Sequence, residues 1–126
     1  MCATLSMRRF EELVARAVAT VPARFREHLE RVMVIAEERA PRRVRRELEL
    51  EPDEDLYGYY EGVPEIERVV EDVAPMPDRI YVYRAPLVED FGDDEEVLVD
   101  EIRKTVLHEI GHHFGLEEPD MDFMEE

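Results

Sequence analysis

The sequence predicts an α+β domain, because helical patterns lie towards both ends of the chain and three short strand-like runs lie between them. The runs at residues 32–36, 56–61 and 80–83 are rich in β-branched or aromatic side chains. A chain of 126 residues has the usual size of one domain. We therefore expect a single domain over residues 1–126, containing a sheet of about three short strands.

The N-terminal third has the apolar spacing of helices. Its apolar residues at helical spacing are Phe10, Leu13, Val14, Ala17, Val18 and Val21. Pro22 then either ends this helix or stands in the first turn of a second helix, which contains Phe25 and Leu29. We expect one or two helices here, preceded by disorder over residues 1–6.

The segment 41–55 is rich in charge and has no apolar period. It is expected to be an exposed charged connection, and a helical turn around Val44 and Leu48 stays open within it. Its arginines, within residues 42–46, are expected to pair with the acidic residues 47–55 that follow.

Residues 93–114 have the strongest helical pattern in the chain. Four acidic residues at positions 93–96 favour a helix N-terminus. The apolar residues that follow at helical spacing are Leu98, Ile102, Val106, Ile110 and Phe114. Gly115 stands where a left-handed helix cap belongs, and Leu116 is placed to pack back on Ile110.

Composition excludes several functional classes. The net charge of −17 is the sum of +5 over residues 1–46 (11 Arg, 6 acidic) and −22 over residues 47–126 (5 basic, 27 acidic). Because the acidic part repels phosphate, we expect no nucleic-acid partner. Cys2 is the only cysteine, which excludes an internal disulfide framework. The first residues do not resemble a secretory leader and no run reaches membrane-spanning length, so we expect a cytoplasmic protein without a membrane partner.

The charged residues also resemble those of heat-adapted proteins. The chain has no Asn, no Gln and a single lysine, Lys104, whereas Arg and Glu are abundant. A thermophilic source is our hypothesis.

The residues that indicate chemistry are His108, Glu109 and His112, which form an HExxH motif. Histidines four residues apart on a helix are neighbours, so both imidazoles can reach one metal ion. The glutamate between them is placed to act as a general base on a water activated by that metal. We expect one divalent ion per chain, with zinc first and iron, manganese or cobalt as alternatives.

A catalytic zinc needs a third protein ligand. The spacing HExxHxxGxxE makes Glu118 the first choice, and Glu117, Asp120 and Asp122 stay open as alternatives.

Three further residues of the same helix lie close to the motif in the sequence. Glu101 and Thr105 share the face of the two histidines, so each either orients an imidazole or is an ordinary exposed position. His113 falls within the apolar arc of the helix and is predicted to be a packed, hydrogen-bonded core histidine that is not a ligand.

The segment VLHEIGHHFGLEEPDM, with LYGYYEG and MPDRIYVYRAPL upstream, resembles the minimal bacterial zincin-like domains, which are small predicted metallopeptidases. The resemblance covers most of the chain from Phe10 onward. It implies a zincin-like fold in which the HExxH helix lies under a small sheet. It also implies that residues 80–84 form an edge strand able to bind an extended peptide.

By the same resemblance, His108 and His112 are metal ligands and Glu109 is the general base. Glu118 stands where metzincin-type zincins carry a third ligand, although most of them have histidine there. The five tyrosines are candidate oxyanion donors, but they are expected to serve in core or edge packing: Tyr57, Tyr59, Tyr60, Tyr81 and Tyr83.

These observations favour a zinc-dependent hydrolase of peptide bonds, acting on a peptide or protein partner. The alternative is a non-catalytic protein-binding module that is stabilised by its metal. A deformylase-like hydrolase would need an upstream cysteine ligand, for which Cys2 is poorly placed.

Overall fold

The computed structural model describes residues 5–62 and 77–114, and its architecture is α+β, as predicted. The elements in chain order are α1 (Met7–Ala19), α2 (Ala23–Leu29), β1 (Val32–Glu37), α3 (Arg42–Glu47), β2 (Gly58–Glu61), β3 (Asp78–Tyr83), α4 (Arg84–Phe91) and α5 (Glu95–Phe114). None of the helices in the described part of the chain combines the length and the apolar composition of a membrane span.

The N-terminal third forms two helices, α1 and α2, separated around Pro22. Ser6 caps α1, because its hydroxyl accepts a hydrogen bond of 3.0 Å from the backbone N–H of Arg9. Pro22 stands immediately before α2, which agrees with the second of the two predicted alternatives. Of the segment 1–6, for which disorder is a prediction, Leu5 and Ser6 are described and residues 1–4 lie outside the described part.

The three strands form one mixed sheet in the order β1-β3-β2. Strand β3 pairs in parallel with β1, where Val34 lies opposite Ile80. It pairs antiparallel with β2, where Tyr59 lies opposite Tyr81. Both outer strands therefore use β3 as their only partner among the described residues.

The prediction that residues 80–84 form an edge strand is wrong. Residues 80–83 lie in the central strand, and Arg84 begins helix α4. The physical reason is burial on both faces of β3, since all four side chains at positions 80–83 are buried. Among the described strands, β1 and β2 lie at the edges.

The main core lies between one face of the sheet and helices α1 and α5. Ile80 and Val82 supply the sheet side of this core. The helices and α4 contribute buried residues that include Phe10, Leu13, Ala17, Leu87, Leu98, Ile102, Val106 and Ile110. Tyr81 and Tyr83 point to the other face, where they form a smaller cluster with Ala40 and Val44.

The charged segment 41–55 includes a short helix at the place where the sequence allowed a helical turn, around Val44. Residues 42–47 form α3, and its Val44 is fully buried against the tyrosine face of the sheet. Arg45 pairs with the carboxylate of Asp55 at 3.5 Å, as expected for this stretch, and it also donates hydrogen bonds to the backbone carbonyls of Glu51 and Glu54. Arg43 instead pairs with Glu61 on β2 at 2.7 Å.

Helix α4 was not predicted from the sequence. Pro86 stands in its first turn, where a missing backbone N–H costs no intrahelical hydrogen bond. The helix covers the main core through Leu87, which is fully buried.

Candidate metal centre

The HExxH residues lie near the end of α5, the longest described helix. The helix starts at Glu95, and the side chain of Asp94 accepts hydrogen bonds from the backbone N–H groups of Glu96 and Val97 at 2.9 and 3.3 Å. Its buried residues, spaced as predicted, fix its rotation about its axis against the core. Because of this rotation, His108 and His112 face away from the core and are exposed.

The two imidazoles converge. The Nε2 atoms of His108 and His112 lie 2.9 Å apart, and the ring centroids are separated by 4.4 Å. Two nitrogen ligands of a tetrahedral zinc ion, each at about 2.0–2.1 Å, lie about 3.3 Å from each other. A small opening of the two rings therefore suffices to place a divalent ion between them, and the pair fits half of a tetrahedral site.

The other half of the site is not found in the described residues. Within residues 5–62 and 77–114, no group of three or more His, Cys, Asp or Glu side chains is placed to hold a metal ion. Glu118, Glu117, Asp120 and Asp122 all lie outside the described part, as do Gly115 and Leu116. The third ligand stays a prediction.

Glu109 points from the helix towards the sheet. Its carboxylate accepts a hydrogen bond from the backbone N–H of Tyr60 on β2. Burial raises the pKa of Glu109 above the ordinary value, although His112 and the Tyr60 N–H act in the opposite direction. The carboxylate is thus partly desolvated and interacts both with His112 and with the backbone of β2.

This edge of β2 faces the functional end of α5. The backbone N–H of Tyr83 donates to the carbonyl of Tyr57, so in this antiparallel pairing the odd-numbered residues of β2 face β3. The backbone groups of Gly58 and Tyr60 therefore point away from β3. The hydrogen bond from Tyr60 to Glu109 agrees with this direction.

Gly58 allows the helix to approach the strand closely. A Cβ atom at this position would lie 2.6 Å from Cγ2 of Thr105 and 2.9 Å from the carbonyl oxygen of Tyr81. It would also lie 3.7 Å from Cγ of Glu109. Only a residue without a side chain fits at this contact. The glycine therefore allows the short distance between strand β2 and the helix that carries the HExxH motif.

The prediction that His113 is a core residue is wrong. Its side chain is 40% exposed and stacks on the ring of Tyr60 with a centroid distance of 3.9 Å. Its Nε2 lies 3.6 Å from a carboxylate oxygen of Asp78, which is buried and also accepts a 2.6 Å hydrogen bond from the Tyr60 hydroxyl. This last turn of α5 lies beside Gly62, at the end of β2, so the sheet covers one side of the imidazole only.

The remaining polar residues near the motif, and the tyrosines of the sheet, have hydrogen-bond or ion-pair partners of their own. Thr105 donates from its hydroxyl to the backbone carbonyl of Glu101 at 2.8 Å, and the Glu101 carboxylate lies 3.4 Å from Lys104. Four of the five tyrosine hydroxyls donate to carboxylates: Tyr57 to Asp90, Tyr59 to Glu47, Tyr60 to Asp78 and Tyr81 to Glu61. These contacts agree with the packing role expected for the tyrosines.

Sequence reasoning missed Gly58, Tyr60 and Asp78 as neighbours of the motif. Gly58 and Tyr60 lie about fifty residues before it in the chain, and no sequence spacing links a strand to a helix over that distance. The LYGYYEG segment did contain the signal of a glycine inside a strand, which often marks a close approach of another element.

Comparison with known proteins identifies one protein family. A family model described as zincin-like metallopeptidase matches residues 29–126, which are 98 of the 126 residues and include the HExxH motif. A comparison with curated proteins finds no match.

Proposed function

Because the chain belongs to the zincin-like metallopeptidase family, we propose that it hydrolyses peptide bonds with one bound divalent ion, most simply zinc. His108 and His112 are proposed as metal ligands, Glu118 as the third ligand and Glu109 as the general base. The observation that carries this proposal is the 2.9 Å separation of the two Nε2 atoms beside a partly buried glutamate.

In the proposed hydrolysis, the ion and the protein have different roles. A divalent ion held here would supply Lewis acidity to a peptide carbonyl and to the attacking water. Glu109 accepts the proton of that water, because its carboxylate lies within electrostatic reach of His112 and its raised pKa makes it a stronger base than an exposed carboxylate. The proton then passes to the leaving amine.

We place the substrate along the outer edge of β2. The backbone N–H and C=O of Gly58 and the C=O of Tyr60 point away from β3, and an extended peptide can pair with such groups by strand addition. Pairing there would hold the scissile bond next to Glu109, since Tyr60 already contacts its carboxylate through the backbone N–H. This location replaces the edge at residues 80–84 that the sequence suggested.

Elemental analysis of protein purified without added metal and without a histidine tag tests the metal site. We expect about one zinc per chain in the wild type and its loss in His112→Ala and Glu118→Ala, because removal of a ligand from a three-ligand site removes most of its affinity. His28→Ala is the matched control, since His28 lies on α2 and outside the motif. Absence of metal in the wild type after reconstitution with zinc would overturn the proposal.

Cleavage of an unstructured protein such as denatured casein tests turnover. Glu109→Gln should retain the metal and lose cleavage by about 10²-fold or more, as expected for loss of a general base. Glu96→Gln, an exposed position in the first turn of α5, is the control for the same substitution. Metal binding without cleavage in the wild type would favour the non-catalytic protein-binding module instead.

A further inference from the structure

Strand β1 has an unpaired edge in the described part of the chain. It lies at one side of the sheet, and its only described partner is β3. The backbone N–H of Asp78 donates to the carbonyl of Arg31, which fixes the direction of the backbone groups in this parallel pairing. Residues 31, 33, 35 and 37 face β3, so the backbone groups of Val32, Val34 and Ala36 point outward.

An open apolar cleft of about 590 Å³ lies next to this edge. Its walls come from β1 and from helix α1, with Leu29 of α2, and the α1 side includes Val14, Ala15 and Val18. On the opposite face of the sheet, Met33 is 50% exposed. The edge therefore has outward hydrogen-bonding groups and apolar surface on both faces.

The sequence of β1 is complementary to itself. In an antiparallel pairing of two copies about a two-fold axis at Val34, Val32 lies opposite Ala36 of the partner subunit. Arg31 then lies opposite Glu37 of the partner subunit. The two-fold axis repeats this pair, so the interface contains two Arg–Glu pairs. Neither Arg31 nor Glu37 forms an ion pair with another residue in the described part of the chain, and both side chains are exposed.

The backbone directions suit the same register. Val32, Val34 and Ala36 would form the hydrogen-bonded pairs, since their N–H and C=O groups point outward. The positions that carry Arg31, Met33, Ile35 and Glu37 would then be the non-hydrogen-bonded pairs, where facing side chains approach most closely. Shifting the register by two residues would lose one of the three outward pairs and separate Arg31 from Glu37.

From this self-complementarity we propose that the occupant of the β1 edge is a second copy of this chain, forming a two-fold dimer with a continuous six-stranded sheet. The apolar side chains at positions 32, 34 and 36 of the partner subunit project to the same face as the cleft and fill it. Strand β2 lies at the other edge of the sheet, beyond β3, so the interface leaves the HExxH motif accessible. The proposal is thus independent of the metallopeptidase function.

Sedimentation equilibrium of the whole chain over a range of protein concentrations tests the dimer. We expect dimers in the wild type and a dimer Kd raised about tenfold or more in Arg31→Glu and in Glu37→Arg, because each change replaces two attractive cross-strand pairs by two repulsive ones. The double variant, Arg31→Glu with Glu37→Arg, restores the opposite charges and should return to a Kd near that of the wild type.

Two controls make the result specific. Arg46→Glu makes the same charge change on the exposed surface of α3 and should dimerise as the wild type does. Circular dichroism establishes that each variant is folded. A wild type that is monomeric throughout, single variants that dimerise like the wild type, or a folded double variant that fails to recover would each overturn the proposed interface.

Discussion

Gly58 is the residue through which the edge strand and the HExxH helix are brought together. A Cβ atom at position 58 would overlap with Cγ2 of Thr105 and with the carbonyl oxygen of Tyr81. We expect Gly58→Ala to lower the free energy of unfolding by about 1–3 kcal/mol, as overpacking of a close contact does. Chemical denaturation measures this change.

Gly62→Ala is the matched control for this substitution, because the nearest atom to its added Cβ would be 3.7 Å away, an ordinary contact distance. It should change stability by much less than Gly58→Ala. Equal stability of the two variants would show that the helix and strand can separate without cost, contrary to the tight packing described above.

Tyr60 combines three contacts at the end of the motif: its backbone with Glu109, its ring with His113 and its hydroxyl with Asp78. Tyr60→Phe removes the 2.6 Å hydrogen bond to the buried Asp78 carboxylate, and we expect a loss of about 1–3 kcal/mol in unfolding free energy. The comparison is Tyr57→Phe, which removes a hydrogen bond to the exposed Asp90. Denaturation curves should show a smaller loss for Tyr57→Phe; a larger one would contradict the importance of the buried carboxylate.

For individual residues, the sequence predicted contacts within one helix better than contacts between different elements. His108 and His112 were paired from their separation of four residues, and the structure places their Nε2 atoms side by side. The error at His113 shows the limit of that reasoning. Helical periodicity gives the angle of a side chain about the axis, but it does not tell how far the neighbouring sheet extends along the helix.

At the scale of elements, local composition predicted the three strands, but it could not give their order. β3 became the central strand because both of its faces are buried, one against α1 and α5 and the other in the tyrosine cluster. The second cluster includes Val44 of α3, and the sequence predicted a helical turn at this residue but not its contact with the sheet. The helix α4 was missed for a related reason, since Pro86 reads as a turn unless it is known to stand in a first helical turn.

The junction between β1 and α4 gives a pH-dependent prediction. A hydrogen bond from Arg84, with Nη2 to Oε2 at 2.6 Å, holds the pKa of Glu38 below its ordinary value, although partial burial acts in the opposite direction. The carboxylate therefore stabilises the folded state above the unfolded pKa of about 4.3, and this contribution is lost as the pH falls through the lower pKa of the folded state.

We expect the wild type to be more stable than Glu38→Gln near neutral pH and the difference to vanish in acid. Since the Glu38 side chain is 55% exposed, solvent screening keeps the difference small. Urea denaturation of both proteins from neutral pH to below the folded pKa measures it. Glu30→Gln, at the end of α2, should show no comparable change; a Glu38 difference that persists at the acidic end would contradict the linkage.

On the scale of the whole molecule, ion pairs connect elements that are distant in sequence. Arg9 joins α1 to Glu95 of α5 at 2.6 Å, and Arg16 contacts Glu96 in the same two helices. Arg39 bridges Asp55 and Glu89, at 2.7 and 2.6 Å. These three arginines lie in the basic part of the chain, residues 1–46, and their partners lie in the acidic part, residues 47–126. The opposite net charges of the two parts therefore attract each other in the folded chain.

This arrangement leads to the prediction of high thermal stability, which follows from the hypothesis of a thermophilic source. Each exposed ion pair contributes only about 0–1 kcal/mol at room temperature. The desolvation cost of ion pairs falls on heating, however, so linked pairs such as those of Arg39 matter more at high temperature. We expect the metal-free protein to melt above the range of about 45–65 °C common to mesophile domains.

Calorimetry of the metal-free protein, of the protein with zinc and of Arg39→Met tests this prediction. Arg39→Met should lower the melting temperature because it removes both partners of the bridge between Asp55 and Glu89, whereas Arg46→Met, at an exposed position on α3, should leave it nearly unchanged. Zinc should raise the melting temperature further, since an ion that binds only the folded state stabilises it by mass action. A metal-free melting temperature within the mesophile range would refute the thermophilic hypothesis, and an equal effect of the two arginine substitutions would refute the role of the ion-pair bridge.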